Sequence, residues 1–203
     1  EYFNKSIELK EKLNDKKGLN QTLLNLGKAY YSNTNFEQAL FNFRQSLTIS
    51  LSFVDDKFDL SPRFQALGMT HFQLANYDSA NFYMFKADSM YNVTDNSKGR
   101  LTSLAWLSLI LIQNGEKNKT VLLTKEFEKL SDDFEPIHDE IIPINWNMYR
   151  VHQLLGNTKT AKEYLENSYF EIKSRSKNIK VKKDREKYLS VKLNQEITAA
   201  WNN

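Results

Sequence analysis

The stretch Leu26-Gly27-Lys28-Ala29-Tyr30, followed by Asn35-Phe36-Glu37-Gln38-Ala39 and then Phe43, decides the fold because it returns later in the chain. The second copy reads Leu67-Gly68-Met69-Thr70-His71, then Asn76-Tyr77-Asp78-Ser79-Ala80, then Met84. The two copies are offset by 41 residues, as Gly27 and Gly68 show. A period of this length predicts stacked supersecondary units, each of which buries its apolar face against its neighbours.

Two looser copies follow the first two. The third has Leu107 and Ser108 in the Leu-Gly places, a turn at Gly115 and Thr120 in the small-residue place. The members of the fourth copy follow the same order: Tyr149, His152, the turn at Gly156, then Ala161 and Leu165. The linkers repeat too, since Asp15-Lys16-Lys17-Gly18 matches Asp95-Asn96-Ser97-Lys98-Gly99.

Each copy is predicted to be a pair of helices in close contact. A small residue such as Gly27 on the first helix, and Ala39 on the second, lets the two helices approach each other. Asn35 stands three residues before Gln38, which is capping-box spacing and predicts a helix start. The pair Ser61-Pro62 predicts an N-cap followed by Pro at the first helical position.

These residues resemble the tetratricopeptide repeat (TPR) family, whose pattern is roughly Leu-Gly-x-x-Tyr, a turn, and Ala-x-x-x-Phe. The longer period is similar to the long-helix variant of kinesin light chain and the Rap-type bacterial regulators. The resemblance covers about residues 1 to 175 and is weakest in the third copy. It implies an all-α fold, a right-handed α-α superhelix of about four helix pairs with a C-terminal capping helix.

The expected organisation begins inside a repeat. Glu1-Tyr2-Phe3-Asn4-Lys5-Ser6 aligns with Phe41-Asn42-Phe43-Arg44-Gln45-Ser46, so we expect a fragment of a larger signalling or regulatory protein. The capping helix is expected from about Asp184 to Trp201. The predicted segments are 1–15 (second helix of a truncated repeat), 16–55, 56–95, 96–134 (degenerate) and 135–177 (repeats), and 178–203 (basic connector and capping helix).

Composition argues against most other classes of function. The net charge of +3 is low for a nucleic-acid binder, and the absence of Cys favours a reducing, cytoplasmic location. No apolar run approaches the roughly 20 residues that span a bilayer, so no membrane insertion is expected. The three histidines, His71, His138 and His152, lack metal-site spacing, and two of them are expected to be packing residues with a satisfied ring nitrogen. We therefore expect no cofactor, no metal site, no catalytic residues and no enzymatic activity.

The family's groove-facing positions, transferred one by one, imply a concave protein-binding surface. They combine amide, aromatic, aliphatic and cationic groups. The predicted partner-binding residues are Asn25, Lys28, Tyr31, Gln65, Met69, Phe72, Trp106, Leu109, Gln113, Trp146, Arg150 and Gln153. Asn25 matches the family's groove Asn, which bonds a ligand backbone, and the two Trp residues could equally pack between neighbouring helix pairs.

The function this implies is binding of a protein, peptide or partner helix in the groove. The main alternative is a regulatory or sensor segment of a multidomain protein (kinase, cyclase, STAND ATPase or transcription regulator) that acts on its own upstream domain. A Rap-type regulator would need a further helical bundle before the repeats. Self-association through the unpaired first helix is a further alternative, and RNA recognition is disfavoured by the low net charge.

Overall fold

The computed structural model describes residues 2–53, 59–133 and 140–203, and these ranges contain eleven α-helices. Helix bounds follow the repeat, with two helices per copy. The helices are α1 (Tyr2–Lys12), α2 (Lys16–Ser32), α3 (Phe36–Leu51), α4 (Ser61–Gln73), α5 (Tyr77–Val93), α6 (Ser97–Gln113), α7 (Lys117–Asp133), α8 (Ile141–Leu155), α9 (Thr158–Asn178), α10 (Lys182–Leu189) and α11 (Lys192–Asn202).

The chain divides into two compact units, residues 1–103 and 104–203, with the boundary inside α6. In the first unit, α2 packs on α3 and α4 packs on α5. The core of the α2–α3 pair contains Leu24, Ala39 and Phe43, joined by Leu67 of α4. No helix in the described ranges combines the length and apolarity that crossing a membrane requires.

Close approach of paired helices at glycine is confirmed by the distances. A Cβ at Gly27 would lie 2.5 Å from the Phe43 ring, and a Cβ at Gly68 would lie 3.0 Å from the backbone nitrogen of Met84. Ala39 and Ala80 are fully buried on the opposite helices. Small residues on both sides therefore set the spacing within each pair.

The turns within the pairs share one backbone feature, a residue in the left-handed region. Thr34 (φ 59°), Ala75 (φ 57°), Gly115 (φ 78°) and Gly156 (φ 84°) occupy this place in the four copies. Glycine is favoured there because a side chain crowds the backbone at positive φ. The predicted turns at Gly115 and Gly156 are confirmed.

Side-chain caps precede the helix start at the predicted residue Asn35 and in the two matched linkers. The Asn35 side chain accepts a hydrogen bond from the Gln38 amide at 3.4 Å, as the capping-box spacing predicts. The matched linkers behave alike, since Asp15 caps Gly18 N at 2.9 Å and Asn96 caps Gly99 N at 2.9 Å.

The start of α4 differs from the predicted cap. Ser61 is the first residue of α4 rather than its N-cap, and the flanking residue Leu60 makes no side-chain cap bond. Instead the carboxylate of Asp59 accepts hydrogen bonds from the Ser61 amide at 2.9 Å and its hydroxyl at 2.6 Å. The Asp59 carboxylate, rather than the Ser61 hydroxyl, accepts the hydrogen bond at this helix start because a carboxylate is a stronger acceptor than a hydroxyl.

A buried polar network joins α2, α3 and α4, and the repeat pattern gave no sign of it. The Asn20 amide donates to Ser50 Oγ at 2.7 Å, and Ser46 Oγ donates to Asn20 Oδ1. Arg63 Nε donates to Ser46 Oγ at 3.2 Å, and burial lowers the pKa of Arg63 although Asp59 opposes the shift. The network fixes the relative register of three helices because each buried polar group needs its partner.

The second unit has its core around α8, α9 and α11. Ile142, Tyr149, Leu165, Ile172 and Ile197 form one buried cluster. The predicted single helix from Asp184 to Trp201 is corrected to two helices. Helix α10 ends before Ser190, and α11 begins after it. The Tyr188 carbonyl accepts from the Asn194 side chain at 2.8 Å instead of continuing the helical ladder. This break lets α11 pack on α9, which is the capping role expected of it.

Helix α1 buries none of its residues. Its exposed apolar side chains include Tyr2 (87% exposed) and Leu9 (57%), and Leu13 (69%) follows directly after its last residue. It packs on α2, and much of its apolar surface faces solvent.

Candidate protein-binding surfaces

The first unit presents one continuous patch of exposed side chains on its first helices. Asn25 and Lys28 of α2 are exposed, and Tyr31 of α2 and Met69 of α4 are half-buried. Gln73, at the next turn of α4, is exposed and donates through Nε2 to the Tyr31 hydroxyl at 3.2 Å. We call these five residues the α2–α4 face.

The Tyr31–Gln73 hydrogen bond shows that α2 and α4 lie side by side with these side chains on a common surface. The Tyr31 ring also meets Phe36 edge-on with centroids 5.4 Å apart, which holds its orientation. On α2, Gln21 Nε2 donates to Asn25 Oδ1 at 3.1 Å. The groove positions transferred from the family do not include Gln21 and Gln73, although each lies one helical turn from a predicted residue.

Two predicted groove residues of the first unit are buried. Gln65 is 8% exposed, and its Nε2 donates to the Gly99 carbonyl at 3.3 Å and to Ser103 Oγ at 3.2 Å. Phe72 is 7% exposed and packs against the Tyr77 ring at 5.4 Å. Gln65 therefore ties α4 to the start of α6, and Phe72 closes the turn between α4 and α5.

In the second unit the predicted residues of α6 divide in the same way. Residues 101–111 are buried without interruption, so Trp106 (5% exposed) and Leu109 (0%) are not available to a partner. Gln113, at the end of α6, is exposed.

The predicted residues of α8 remain at the surface of the second unit. Trp146 is half-buried and stacks on Tyr149 with centroids 5.0 Å apart. Arg150 is half-buried and Gln153 is exposed. These three residues lie at successive turns of α8 and form a second, separate set of aromatic, cationic and amide groups.

The two described histidines are packing residues. Each is buried and stacks on a tyrosine of the following helix, His71 on Tyr83 and His152 on Tyr164. Burial lowers the pKa of both rings, and Arg44 lowers the pKa of His71 further. The expected satisfied ring nitrogen is wrong for His71, because neither nitrogen has a hydrogen-bond partner among the described residues.

The described ranges contain no cluster of side chains suited to a metal ion. No group of three His, Asp or Glu side chains there is arranged to hold a metal ion. The third histidine, His138, lies outside the described residues. What the described surface offers is a set of recognition groups: amides that donate and accept, a cation, and half-buried aromatic and thioether side chains.

Helix pairs of this length, stacked through small residues and joined by left-handed turns, define a tetratricopeptide-type helical repeat protein. The tetratricopeptide repeat family model matches residues 21–53, which hold most of α2 and all of α3. The predicted resemblance to this family is therefore confirmed for the repeat at residues 21–53, and the described helices confirm the all-α repeat fold class. Repeats of this family generally mediate protein–protein interactions and are typically non-enzymatic.

The relatives share the fold more clearly than the sequence. The uncharacterized protein ycf37 of Guillardia theta is 35% identical over 81 residues, 40% of this chain and 44% of that protein. The chain thus aligns with less than half of that protein's length. A crystal structure of nearly identical TPR-like repeats, assigned to a kinesin light chain of Podosopora anserina, superposes with a TM-score of 0.61 at 16% identity, covering 88% of this chain and 86% of that one. MamA superposes with a TM-score of 0.51 at 14% identity, covering 89% and 94%.

Proposed function

We propose that the chain binds a peptide or a partner helix of another protein through the α2–α4 face. The observation that carries this proposal is the face itself, a surface of exposed polar and half-buried apolar groups on two helices that are already joined. It belongs to a fold whose members generally bind proteins.

Each group of the face has a part in such binding. The Asn25 amide can donate and accept at once, which suits the peptide group of a ligand backbone. Lys28 offers a cation to an acidic side chain, while Tyr31 and Met69 offer apolar contact area. The Tyr31–Gln73 bond orders the face before binding, so little conformational entropy is lost when a partner arrives.

The predicted residues of α8, in the second unit, extend the proposal to a second surface. Trp146, Arg150 and Gln153 carry the same mixture of aromatic, cationic and amide groups on α8. A large aromatic and an arginine are the residue types that most often dominate interface energies. Gln113 is the remaining predicted residue that stays exposed.

The test is a random heptapeptide display selection on the purified chain, followed by fluorescence anisotropy of the selected peptides. We expect the double variant Lys28→Ala, Met69→Ala to weaken these peptides about tenfold or more. The matched control is Glu37→Ala, Gln45→Ala, which removes two exposed side chains of α3 away from the face. Circular dichroism should show all three proteins equally helical.

Full affinity in the face variant would overturn the proposal. Selected peptides that match the protein's own full-length reading frame would favour the alternative, action on another domain of the same polypeptide. Sedimentation equilibrium of the same proteins reports on the self-association that the exposed Tyr2 and Leu9 of α1, with Leu13 directly after it, suggest.

A further inference from the structure

Helix α5 exposes two aromatic rings and two charges on the side opposite its buried residues. The buried residues recur every three or four positions along one side of the helix: Ala80, Met84, Ala87 and Tyr91. The opposite side exposes Asp78, Phe82, Phe85 and Lys86, which we call the α5 stripe. Phe82 is 53% and Phe85 is 62% exposed, so both rings face solvent. Exposed aromatic rings grouped on one face and flanked by polar side chains are typical of an interaction surface.

The two charges of the α5 stripe stand symmetrically about Phe82. Asp78 precedes Phe82 by four residues, and Lys86 follows it by four. A helix separates positions 78 and 86 by about 12 Å along its axis, and Lys86 Nζ lies 4.5 Å from the centroid of the Phe82 ring. Within the described ranges neither Asp78 nor Lys86 takes part in an ion pair. Both charges can therefore be paired by a partner that carries the complementary arrangement.

From this symmetry we propose that the α5 stripe binds the α5 stripe of a second copy of the chain. When two such helices pack antiparallel about a twofold axis at Phe82, position 78 of one copy lies opposite position 86 of the other. Asp78 of each copy then pairs with the partner's Lys86. The two Phe82 rings meet at the axis, and Phe85, one turn further along, adds apolar contact area beside them.

The equivalent positions of the other repeats explain why a second copy is the occupant that fits α5. The corresponding triplets are Glu37, Phe41 and Gln45 in α3, Asn118, Leu122 and Glu126 in α7, and Lys159, Glu163 and Asn167 in α9. None of these triplets places opposite charges on the two sides of an apolar residue, so none is complementary to itself. A uniformly acidic or uniformly basic partner would satisfy one charge of the α5 stripe and be repelled by the other. A second copy satisfies both charges and covers the aromatic rings.

The size of the α5 stripe sets the strength of this contact. One helix face on each copy buries less than the roughly 1,200 Å² at which stable protein interfaces begin. We therefore expect a weak, reversible dimer whose population rises with protein concentration. The α5 stripe shares no residue with the α2–α4 face, so self-association through α5 and peptide binding by that face can be measured separately.

The test is sedimentation equilibrium of charge-reversal variants over a series of concentrations. Asp78→Lys and Lys86→Asp should each weaken self-association at least about tenfold, because two copies of either variant place like charges opposite each other. An equimolar mixture of the two variants should associate again as a one-to-one heterodimer, since each variant supplies the charge that the other has lost. Recovery in the mixture also shows that both variants are folded. The double variant Asp78→Lys, Lys86→Asp should dimerise like the wild type.

A matched pair of aromatic substitutions tests the centre of the contact. Phe82→Ser should weaken the dimer at least about tenfold, whereas Phe41→Ser, at the equivalent exposed position of α3, should leave it unchanged. The inference is overturned if the wild type stays monomeric at every concentration, or if the mixed charge variants associate no better than each variant alone. Dimerisation that is lost in Tyr2→Ser, Leu9→Ser and kept in Phe82→Ser would place the contact on α1 and overturn it as well.

Discussion

The helix pairs α4–α5 and α8–α9 occupy equivalent places two repeats apart and share one stacking arrangement. His71 stacks on Tyr83 with centroids 5.4 Å apart and planes at 9°, and His152 stacks on Tyr164 at 5.5 Å and 13°. Each of the two pairs also buries an alanine at the equivalent place on its second helix, Ala80 or Ala161. The same ring stacking therefore recurs in both units.

The surroundings of the two stacks differ. Both His71 nitrogens lack a hydrogen-bond partner among the described residues, and the nearest charge acting on the ring is Arg44. His152 Nδ1 lies 3.3 Å from the Asn157 amide, and its Nε2 lies 3.6 Å from Glu128, an ion-pair distance rather than a hydrogen bond. The stacking of histidine on tyrosine is thus the same in both pairs, whereas the polar groups around the histidine ring differ.

The contact between the helices differs too. Gly68 of α4 meets the backbone of α5, whereas the equivalent residue of α8 is Tyr149, which stacks on Trp146. The exposed faces of α5 and α9 differ in chemistry. Helix α5 exposes the aromatic residues Phe82 and Phe85, and Lys86 Nζ lies 4.5 Å from the centroid of the Phe82 ring. The equivalent positions of α9 are Glu163, Glu166 and Asn167. Two copies of one pattern can therefore present different surfaces.

The largest expected effect comes from exchanging the contact residue of one pair for that of the other. Gly68→Tyr should lower the free energy of unfolding by about 3 kcal/mol or more, because even a Cβ at residue 68 lies 3.0 Å from Met84 N. Urea unfolding followed by circular dichroism measures the loss. Gln73→Tyr, at an exposed position of the same helix, should change the stability by only about 0.5 kcal/mol. Equal stability of the two variants would show that α4 and α5 can separate without cost.

An intermediate effect should distinguish the two histidines. His71→Phe should raise the free energy of unfolding at pH 7 by about 1–2 kcal/mol, because it removes two buried nitrogens without partners and keeps the stack on Tyr83. His152→Phe should give no such gain, because it breaks the contact with Asn157 and leaves Glu128 without its ring partner. Urea unfolding of both variants at pH 7 makes the comparison, and equal gains would contradict it.

The stability of the His71→Phe variant should also depend on pH differently from that of the wild type. Because the folded pKa of His71 is lowered, the unfolded chain binds more protons, so stability is present above about pH 6.5 and is lost as the pH falls. His71→Phe should reduce this loss by about 1 kcal/mol between pH 6.5 and 5.5. Glu128, whose folded pKa is raised, acts in the opposite sense near His152. An unchanged pH profile in His71→Phe would show that the ring titrates normally in the fold.

The smallest expected effect lies in the turns of the two pairs. Ala75 has φ 57° and Gly156 has φ 84° at the equivalent place. Ala75→Gly should raise the free energy of unfolding by about 0.5 kcal/mol through relief of the left-handed strain, and Gly156→Ala should lower it by about 1 kcal/mol. Chemical denaturation gives both values, and changes of the same sign would contradict the shared turn conformation.

The features that were predicted correctly depend on short stretches of chain. The Asn35 cap, the turn glycines Gly115 and Gly156, and the Gly27–Phe43 contact all involve residues within one helix pair. Local sequence decides such features because the partner groups are close along the chain. The predicted segment boundaries and the groove as a binding site remain predictions.

The features that sequence missed depend on neighbours distant in the chain. Gln65 and Phe72 have the register of groove residues, yet other side chains cover them. The break at Ser190 is set by the Asn194–Tyr188 bond and by the packing of α11 on α9.

By itself the sequence determined the repeat, the family and the all-α class, because period, small residues and turn residues act locally and recur. Only the tertiary structure decided which side chains are exposed, since burial is a property of all the helices that meet at a residue. It reduced the predicted binding surface to the α2–α4 face and the exposed residues of α6 and α8. It also formed the open cavity lined by α7, α8 and α9, whose residues are distant in the sequence and converge only when these helices pack.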